Sequence, residues 1–355
     1  MSKTFLAINF GCRVNAAETN QWSQILIDQG FTQYSRDVLQ NVSTQQPPSI
    51  ILVNTCSITK KGEKESINKV KSLHQKYPES QIYVTGCANF KKIENLPNIK
   101  TFINAQKEEI LDHLKSSYTQ KIGDKFSHTY RYLLKVQSGC TQFCSYCIVP
   151  FKRPDIFSLK IDDAVKTVKK AIKDGYQEVI ITGVNLDQYE YGFSNLIEAL
   201  LKETDIKLIS FGSIPINCID KKFIDLIRNW KFRFRNFLHI PIQSGSDKIL
   251  SLMHRPYTKK DILQKIYDLK STIYDLKLGT DIIVGFPTET DQDFQETLNL
   301  CQQIGFTKIH VFPFSPRPNT QARILFENSP KIPNKTLKLR SQQLRRLSSP
   351  TYQSA

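Results

Sequence analysis

Short continuous apolar runs, each followed by a stretch with helical periodicity, divide the chain into two series. In the first, Phe5–Phe10, Ile50–Asn54 and Ile82–Thr85 read as strands. Helix-period stretches follow at Ala16–Asp28 and at the Lys-rich Lys61–Tyr77. This alternation predicts βαβ units and a doubly wound parallel sheet over residues 1–118. The polar stretch Tyr34–Ser49 predicts a surface loop, and Ser117–Tyr130 an interdomain linker.

The second series has strand-like runs at Tyr132–Val136, Glu178–Thr182, Lys207–Phe211, Phe237–Ile240, Gly279–Val284 and Lys308–Phe312. Amphipathic stretches between them, at Asp162–Asp174, Leu196–Lys202, Lys221–Trp230, Thr258–Tyr274 and Gln292–Ile304, read as helices. Six βα units predict a partial (β/α)6 TIM-type barrel over residues 130–318, open on one side. Residues 319–355 form a basic C-terminal extension, with a possible helix at Thr336–Leu347.

Charge changes this picture first. Lys and Arg number 49 against 33 Asp and Glu, a net charge of +16, which predicts a polyanionic partner, nucleic acid first. A general solubility bias is the competing explanation. The span Lys331–Arg346 holds six basic residues and no acid, so it reads either as a solvated terminal helix or as an RNA-contacting arm. No run of 18 apolar residues occurs, and the N-terminal apolar core is too short for a signal peptide. The expectation is a cytoplasmic protein without a membrane partner. In such a compartment the eight cysteines favour metal binding or catalysis over disulfides.

The cysteines fall into two patterns. Cys140, Cys144 and Cys147 lie within one short loop, and three thiolates so spaced can wrap a soft metal centre. A structural zinc site takes four ligands, and the nearest histidine is His128, upstream. Three cysteines on a 4Fe–4S cube would leave one iron open; a zinc loop with a distant fourth ligand is the alternative. Cys12, Cys56 and Cys87 each follow a predicted strand, and in a parallel sheet those positions share the carboxyl-terminal rim where open α/β folds bind ligands. Taken singly, each reads as an inert core cysteine; together they predict a second metal site. Cys218 and Cys301 read as small buried hydrophobes.

The loop Lys135–Pro150 resembles that of the radical S-adenosylmethionine (SAM) enzymes, and the chain as a whole is similar to their methylthiotransferases. The matching stretches are Gly11-Cys12-Arg-Val-Asn15 with Glu18, Asn54-Thr-Cys56-Ser-Ile-Thr59, Thr85-Gly-Cys87-Ala88, Leu238-His-Ile-Pro-Ile-Gln-Ser-Gly-Ser246 and Asp281-Ile-Ile-Val-Gly-Phe-Pro-Thr-Glu-Thr290. His310-Val-Phe-Pro-Phe-Ser-Pro-Arg317 and Lys135-Val-Gln137 most resemble the branch acting on N6-threonylcarbamoyladenosine in tRNA. The resemblance implies two 4Fe–4S clusters, one on Cys140, Cys144 and Cys147 and one on Cys12, Cys56 and Cys87. It also implies S-adenosylmethionine as cofactor, the tRNA anticodon stem-loop as substrate, and an electron donor and a sulfur donor as partners. The implied reaction is radical methylthiolation at carbon 2 of the adenine. Isopentenyladenosine in tRNA and a ribosomal-protein aspartate are the alternative substrates, and a zinc-stabilised RNA-binding protein is the alternative outside enzymes.

Beyond the cysteines, Phe143 and Tyr146 resemble aromatic positions beside the cofactor adenine. Gly183, Asn185, Ser213, Gln243, Ser244, Gly285, Phe286 and Pro287 follow predicted strands, as cofactor-pocket residues or as plain turns. Arg153 and Arg317 read either as anion holders, for the cofactor carboxylate or a substrate anion, or as exposed surface arginines. Two departures from the family pattern stand out. Pro154 follows Arg153 where glycine is usual, and residues 319–355 are too few for the small RNA-binding β-barrel common in the family. The basic extension is the expected substitute.

Overall fold

A computed structural model of the chain describes residues 3–34, 47–107, 109–116, 131–273 and 275–348. The linker expected at Ser117–Tyr130 and most of the expected loop at Tyr34–Ser49 lie outside those residues. The chain forms two compact units. One comprises Met1–Thr129 with Phe151–Asp155, and the other Tyr130–Pro150 with Ile156–Ala355.

The first unit runs β1 (Thr4–Asn9), α1 (Arg13–Asp28), β2 (Thr32–Gln33), β3 (Ile50–Thr55), α2 (Lys60–Lys76), β4 (Gln81–Gly86), β5 (Ile99–Phe102) and α3 (Glu109–Ser116). Its five strands are all parallel, in the order β2-β1-β3-β4-β5. Alternate residues of each strand serve different cores, which is why the strands are apolar throughout. Leu6, Ile8, Ile51 and Val53 pack with Ile67, Val70 and Leu73 of α2. Phe5, Ile50 and Leu52 pack on the other face with Trp22 and Leu26 of α1 and Ile110 and Leu114 of α3. The sheet is therefore doubly wound. The short β5 escapes sequence reading because its pattern, Ile-Lys-Thr-Phe, buries only its two ends.

The second unit contains β6 (Arg131–Ser138), most of the cysteine loop and the start of the single-turn α4 (Val149–Lys152). It continues with β7 (Phe157–Ser158), α5 (Ile161–Lys173), β8 (Glu178–Gly183), α6 (Phe193–Glu203), β9 (Leu208–Phe211), α7 (Lys221–Asn229) and β10 (Phe237–His239). Then come α8 (Asp247–Leu252), α9 (Lys259–Thr272), β11 (Lys277–Val284), α10 (Asp291–Ile304), β12 (Lys308–Pro313), α11 (Gln321–Glu327) and α12 (Asn334–Arg346). Strands β6, β8 and β9 pair in parallel, as do β10, β11 and β12. Parallel bridges Ile209–Phe234 and Ser213–His239 join the two groups into a six-stranded open barrel wall. The two-residue β7 pairs antiparallel on the outer side of β6.

The basic extension is not a separate arm as far as it is described. Leu344 of α12 is fully buried in the barrel's main core. Arg340 is buried and ion-paired with Glu289, and with Asp291 at 2.7 Å. Lys335, Lys338, Arg345 and Arg346 stay exposed. At helical spacing this segment thus combines a docked face and a basic face.

Candidate functional sites: two cysteine triads

In the first unit, Cys12 follows β1, Cys56 follows β3 and Cys87 follows β4. In this strand order the reversal falls between β1 and β3, and the crevice at their carboxyl ends is where such sheets bind ligands. Two glycines make the approach possible. Gly11 has φ +110°, and a Cβ there would lie 3.0 Å from Cys56 Sγ. Gly86 has φ +107°, and a Cβ there would fall 2.3 Å from the Thr55 carbonyl oxygen. Any side chain at either point would push the strand ends apart.

A buried polar network underlies these turns. Arg153 donates to both Glu18 oxygens, Nη1 to Oε1 at 2.9 Å and Nη2 to Oε2 at 3.1 Å, and also to Asn15 Oδ1 at 2.9 Å. Lys107 is ion-paired with the same carboxylate. Asn15 Nδ2 donates to the Phe10 and Thr55 carbonyls, at 3.2 and 2.9 Å, and so ties the turn after β1 to the end of β3. Asn104 Nδ2 donates to Cys87 Sγ at 3.5 Å and to the Lys152 carbonyl at 3.1 Å. Burial raises the Cys12 thiol pKa, with Cys87 adding to the rise and Asn15 and Arg153 opposing it. For Arg153, burial opposes the charge, yet Glu18 more than compensates and holds the guanidinium above the usual arginine range.

In the second unit the loop after β6 carries Cys140, Cys144 and Cys147. Asn185 Nδ2 donates to Cys140 Sγ at 3.6 Å, and its own backbone N–H is held by Gln137 Oε1 at 2.8 Å. Arg255 Nη1 donates to Cys144 Sγ at 3.3 Å, while its Nε donates to the Tyr257 hydroxyl at 2.7 Å. The backbone N–H of Val149 donates to Cys147 Sγ at 3.4 Å. Ser145 staples the loop to the end of α8 through the Met253 and Leu252 carbonyls, at 3.1 and 2.6 Å. Burial pushes the Cys147 thiol up to about 12 and raises Cys140 as well, with neighbouring thiols contributing to both. A bound metal would deprotonate these thiol ligands outright.

The sulfurs of neither triad are spaced as ligands of a single ion. Thiolates about 2.3 Å from one zinc lie within about 4 Å of one another. Among the described residues, the group of three His, Cys, Asp or Glu ligand atoms that closes to within 4.8 Å is His239, Asp281 and His310, not a cysteine triad. Sulfurs on separate irons of one cube sit farther apart.

The remaining expected residues divide. Asn185 and Gln243 lie beside the strand ends, Gln243 with φ +68° and its backbone N–H on the Asp281 carbonyl at 2.9 Å. Gly183 ends β8 against Gln137, Ser213 bridges to His239, and Phe143 is 52% exposed with φ +48°. Tyr146, Phe286 and the buried Ile249, Met253 and Ala322 share a small core. Ser244 is buried with its hydroxyl 3.2 Å from that of Thr297, so Ser244 and Phe286 spend their side chains on packing. Gly285 and Pro287 are buried, and the Gly285 N–H is held by Glu289 at 2.8 Å. Arg153 and Arg317 are both buried, which removes the surface reading for each. Arg153 is occupied by Glu18 in the first unit: the proline after it disfavours helix, α4 stops at Lys152, and the side chain turns to that carboxylate. Arg255, Asn104 and Lys107 escaped sequence reading because nothing near them in the chain marks them.

The description "Radical SAM superfamily" matches residues 134–301, and "Uncharacterized protein family UPF0004" matches residues 4–106. The threonylcarbamoyladenosine tRNA methylthiotransferase MtaB of Aquifex aeolicus is 30% identical, over 95% of this chain and 86% of that protein. The tRNA-2-methylthio-N(6)-dimethylallyladenosine synthase of Thermodesulfovibrio yellowstonii is 31% identical, over 88% and 76%. Among solved structures, the radical SAM methyltransferase TsrM of Kitasatospora setae shares the fold, with a TM-score of 0.67 at 12% identity over 91% of this chain and 77% of that one. These matches take in both units, and the radical SAM match carries with it one 4Fe–4S cluster and S-adenosylmethionine. The chain belongs to the radical SAM methylthiotransferase family.

Proposed function

We propose that this chain transfers a methylthio group to carbon 2 of N6-threonylcarbamoyladenosine beside the anticodon of tRNA. Cys140, Cys144 and Cys147 hold one 4Fe–4S cluster, and Cys12, Cys56 and Cys87 hold a second. The observation that carries the two-cluster reading is the gathering of the second triad at one sheet rim from three separate βα turns. When bound, the clusters and S-adenosylmethionine supply the sulfur and the radical chemistry that an aromatic C–H bond requires.

The protein's own groups hold and orient. Asn185 and Arg255 fix two loop sulfurs by hydrogen bonds, and Asn104 fixes Cys87. Gly183, Asn185, Ser213, Gln243 and the backbone of Gly285–Pro287 line the cofactor pocket, with Phe143 and Tyr146 beside its adenine and Arg317 as an anion holder. Relatives named for threonylcarbamoyladenosine, the net charge of +16 and the basic face of α12 support a tRNA substrate. An anticodon-loop base is more easily unstacked than a duplex one. A one-electron donor and a sulfur donor complete the reaction, and the setting is cytoplasmic; among the described residues no helix is long and apolar enough to cross a membrane. N6-dimethylallyladenosine is the second reading, favoured by relatives of equal identity.

Mass spectrometry of tRNA nucleosides from a deletion strain tests the substrate. The 2-methylthio-threonylcarbamoyl derivative should vanish; its persistence, with loss of the dimethylallyl derivative, moves the assignment to the second reading. Contacts to six to ten phosphates would weaken RNA binding about 10³–10⁵-fold between 50 and 200 mM salt. A flat response overturns the RNA reading.

A further inference from the structure

Three adjacent barrel strands bring together His239, Asp281 and His310, which lie in stretches that match the family but to which the proposed function gives no role. On β11, Leu278, Thr280, Ile282 and Val284 are fully buried toward the helices, which leaves Asp281 on the opposite, inner face. On β12, Ile309 and Val311 are buried, which leaves His310 on the inner face opposite Asp281 in register. His239 ends β10 beside Gly279. A Cβ at Gly279 would lie 2.7 Å from both His239 Nδ1 and Phe237 Cζ, so this glycine leaves the space that the imidazole occupies.

The three side chains converge on one point. Asp281 Oδ1 is 2.9 Å from His239 Nε2 and 3.1 Å from His310 Nδ1, and the three ligand atoms lie within 4.8 Å of one another. An ion about 2.1 Å from each atom would see the Asp281–His239 and Asp281–His310 separations at about 90°, a cis angle of octahedral geometry. Side-chain exposure rises from 11% at His239 through 23% at Asp281 to 45% at His310, so the group is closed by protein on one side and open on the other. We propose that His239, Asp281 and His310 hold one divalent transition-metal ion in a two-histidine, one-carboxylate site. The remaining positions face the barrel interior, where they take an oxygen or nitrogen donor.

The donor chemistry separates this site from the cysteine sets. Imidazole and carboxylate suit zinc, iron(II) or manganese, whereas clusters select thiolates. Asp281 supplies an oxygen donor between the two imidazoles. A hydrogen-bonded His–Asp–His relay without an ion is the competing reading of the same distances. The proposal does not depend on which nucleoside the enzyme modifies.

Zinc titration of the anaerobic, cluster-loaded full chain by calorimetry, with metal analysis after desalting, decides between them. The expected result is a single zinc equivalent, bound at least about tenfold more weakly in both His310→Ala and Asp281→Asn. Iron and sulfide content should not change. His310 lies on the exposed side of the site, so its variant remains informative if Asp281→Asn disturbs β11. Absence of a zinc equivalent in the parent protein, or equal zinc binding by His310→Ala, overturns the metal site.

Discussion

The two cysteine triads present similar sulfur sets built in opposite ways. Cys140, Cys144 and Cys147 sit on one loop, so local chain geometry alone keeps them near each other. Cys12, Cys56 and Cys87 meet only because β1, β3 and β4 are neighbours in one parallel sheet. Yet each set has acquired a largely buried arginine from far along the chain: Arg255 donates to Cys144, and Arg153 lies within electrostatic reach of Cys12 and Cys87. Three thiolates around a cube would leave net negative charge, which a nearby guanidinium would offset. A local motif can thus gather thiols, but in both cases the neighbouring guanidinium is supplied by tertiary structure.

The sharpest break of this comparison is removal of one ligand from each set. Cys144→Ala and Cys56→Ala should each lower bound iron from about eight to about four per chain and abolish methylthiolation. If Cys56→Ala keeps full iron and activity, the dispersed triad is not a cluster site. Next in size, Arg153→Met removes one of the two cations on the buried Glu18 carboxylate, leaving Lys107, and should destabilise the first unit by about 1.5–3 kcal/mol in urea unfolding. The dispersed triad should lose its cluster along with that scaffold. A change under about 1 kcal/mol would show that the network does not hold the rim together.

Arg255→Met should act more gently, since the loop keeps its three sulfurs. Loss of a charged donor to Cys144 should shift the midpoint potential of that cluster downward and weaken iron retention about 10–100-fold, while the dispersed cluster keeps its potential. An unchanged potential would reduce Arg255 to a packing role, and Arg255→Lys should recover part of the shift. The smallest effect is one of pH. In cluster-free protein Cys147 should alkylate slowly at pH 8 and accelerate toward pH 12, because burial raises its thiol and the reactive thiolate appears only as pH climbs through that value. Alkylation that levels off near pH 8.5, the value for a free cysteine, would contradict that burial.

Much of this was legible from pattern alone. The apolar runs of β3 and β8 and the amphipathic α5 and α10 occupy nearly the residues their periodicity marks out, because burial against a sheet imposes that periodicity. The spacing of Cys140, Cys144 and Cys147 marks a ligand set because its geometry is local. The positions of Cys12, Cys56 and Cys87 after strands were readable only as a shared rim. Their approach depends on Gly11 and Gly86, whose missing Cβ atoms gain meaning from the strands beside them.

What sequence could not supply was partnership across long separations. Arg153 on Glu18, Arg255 on Cys144, Arg340 on Glu289, and the convergence of His239, Asp281 and His310 on neighbouring strands carry no local mark. Hydrophobic periodicity reports which way each residue faces relative to its own element, and so determines strands, helices and their order. Which charged side chain ends beside which is decided when the elements pack, since a buried charge is tolerated only where packing supplies its counterpart.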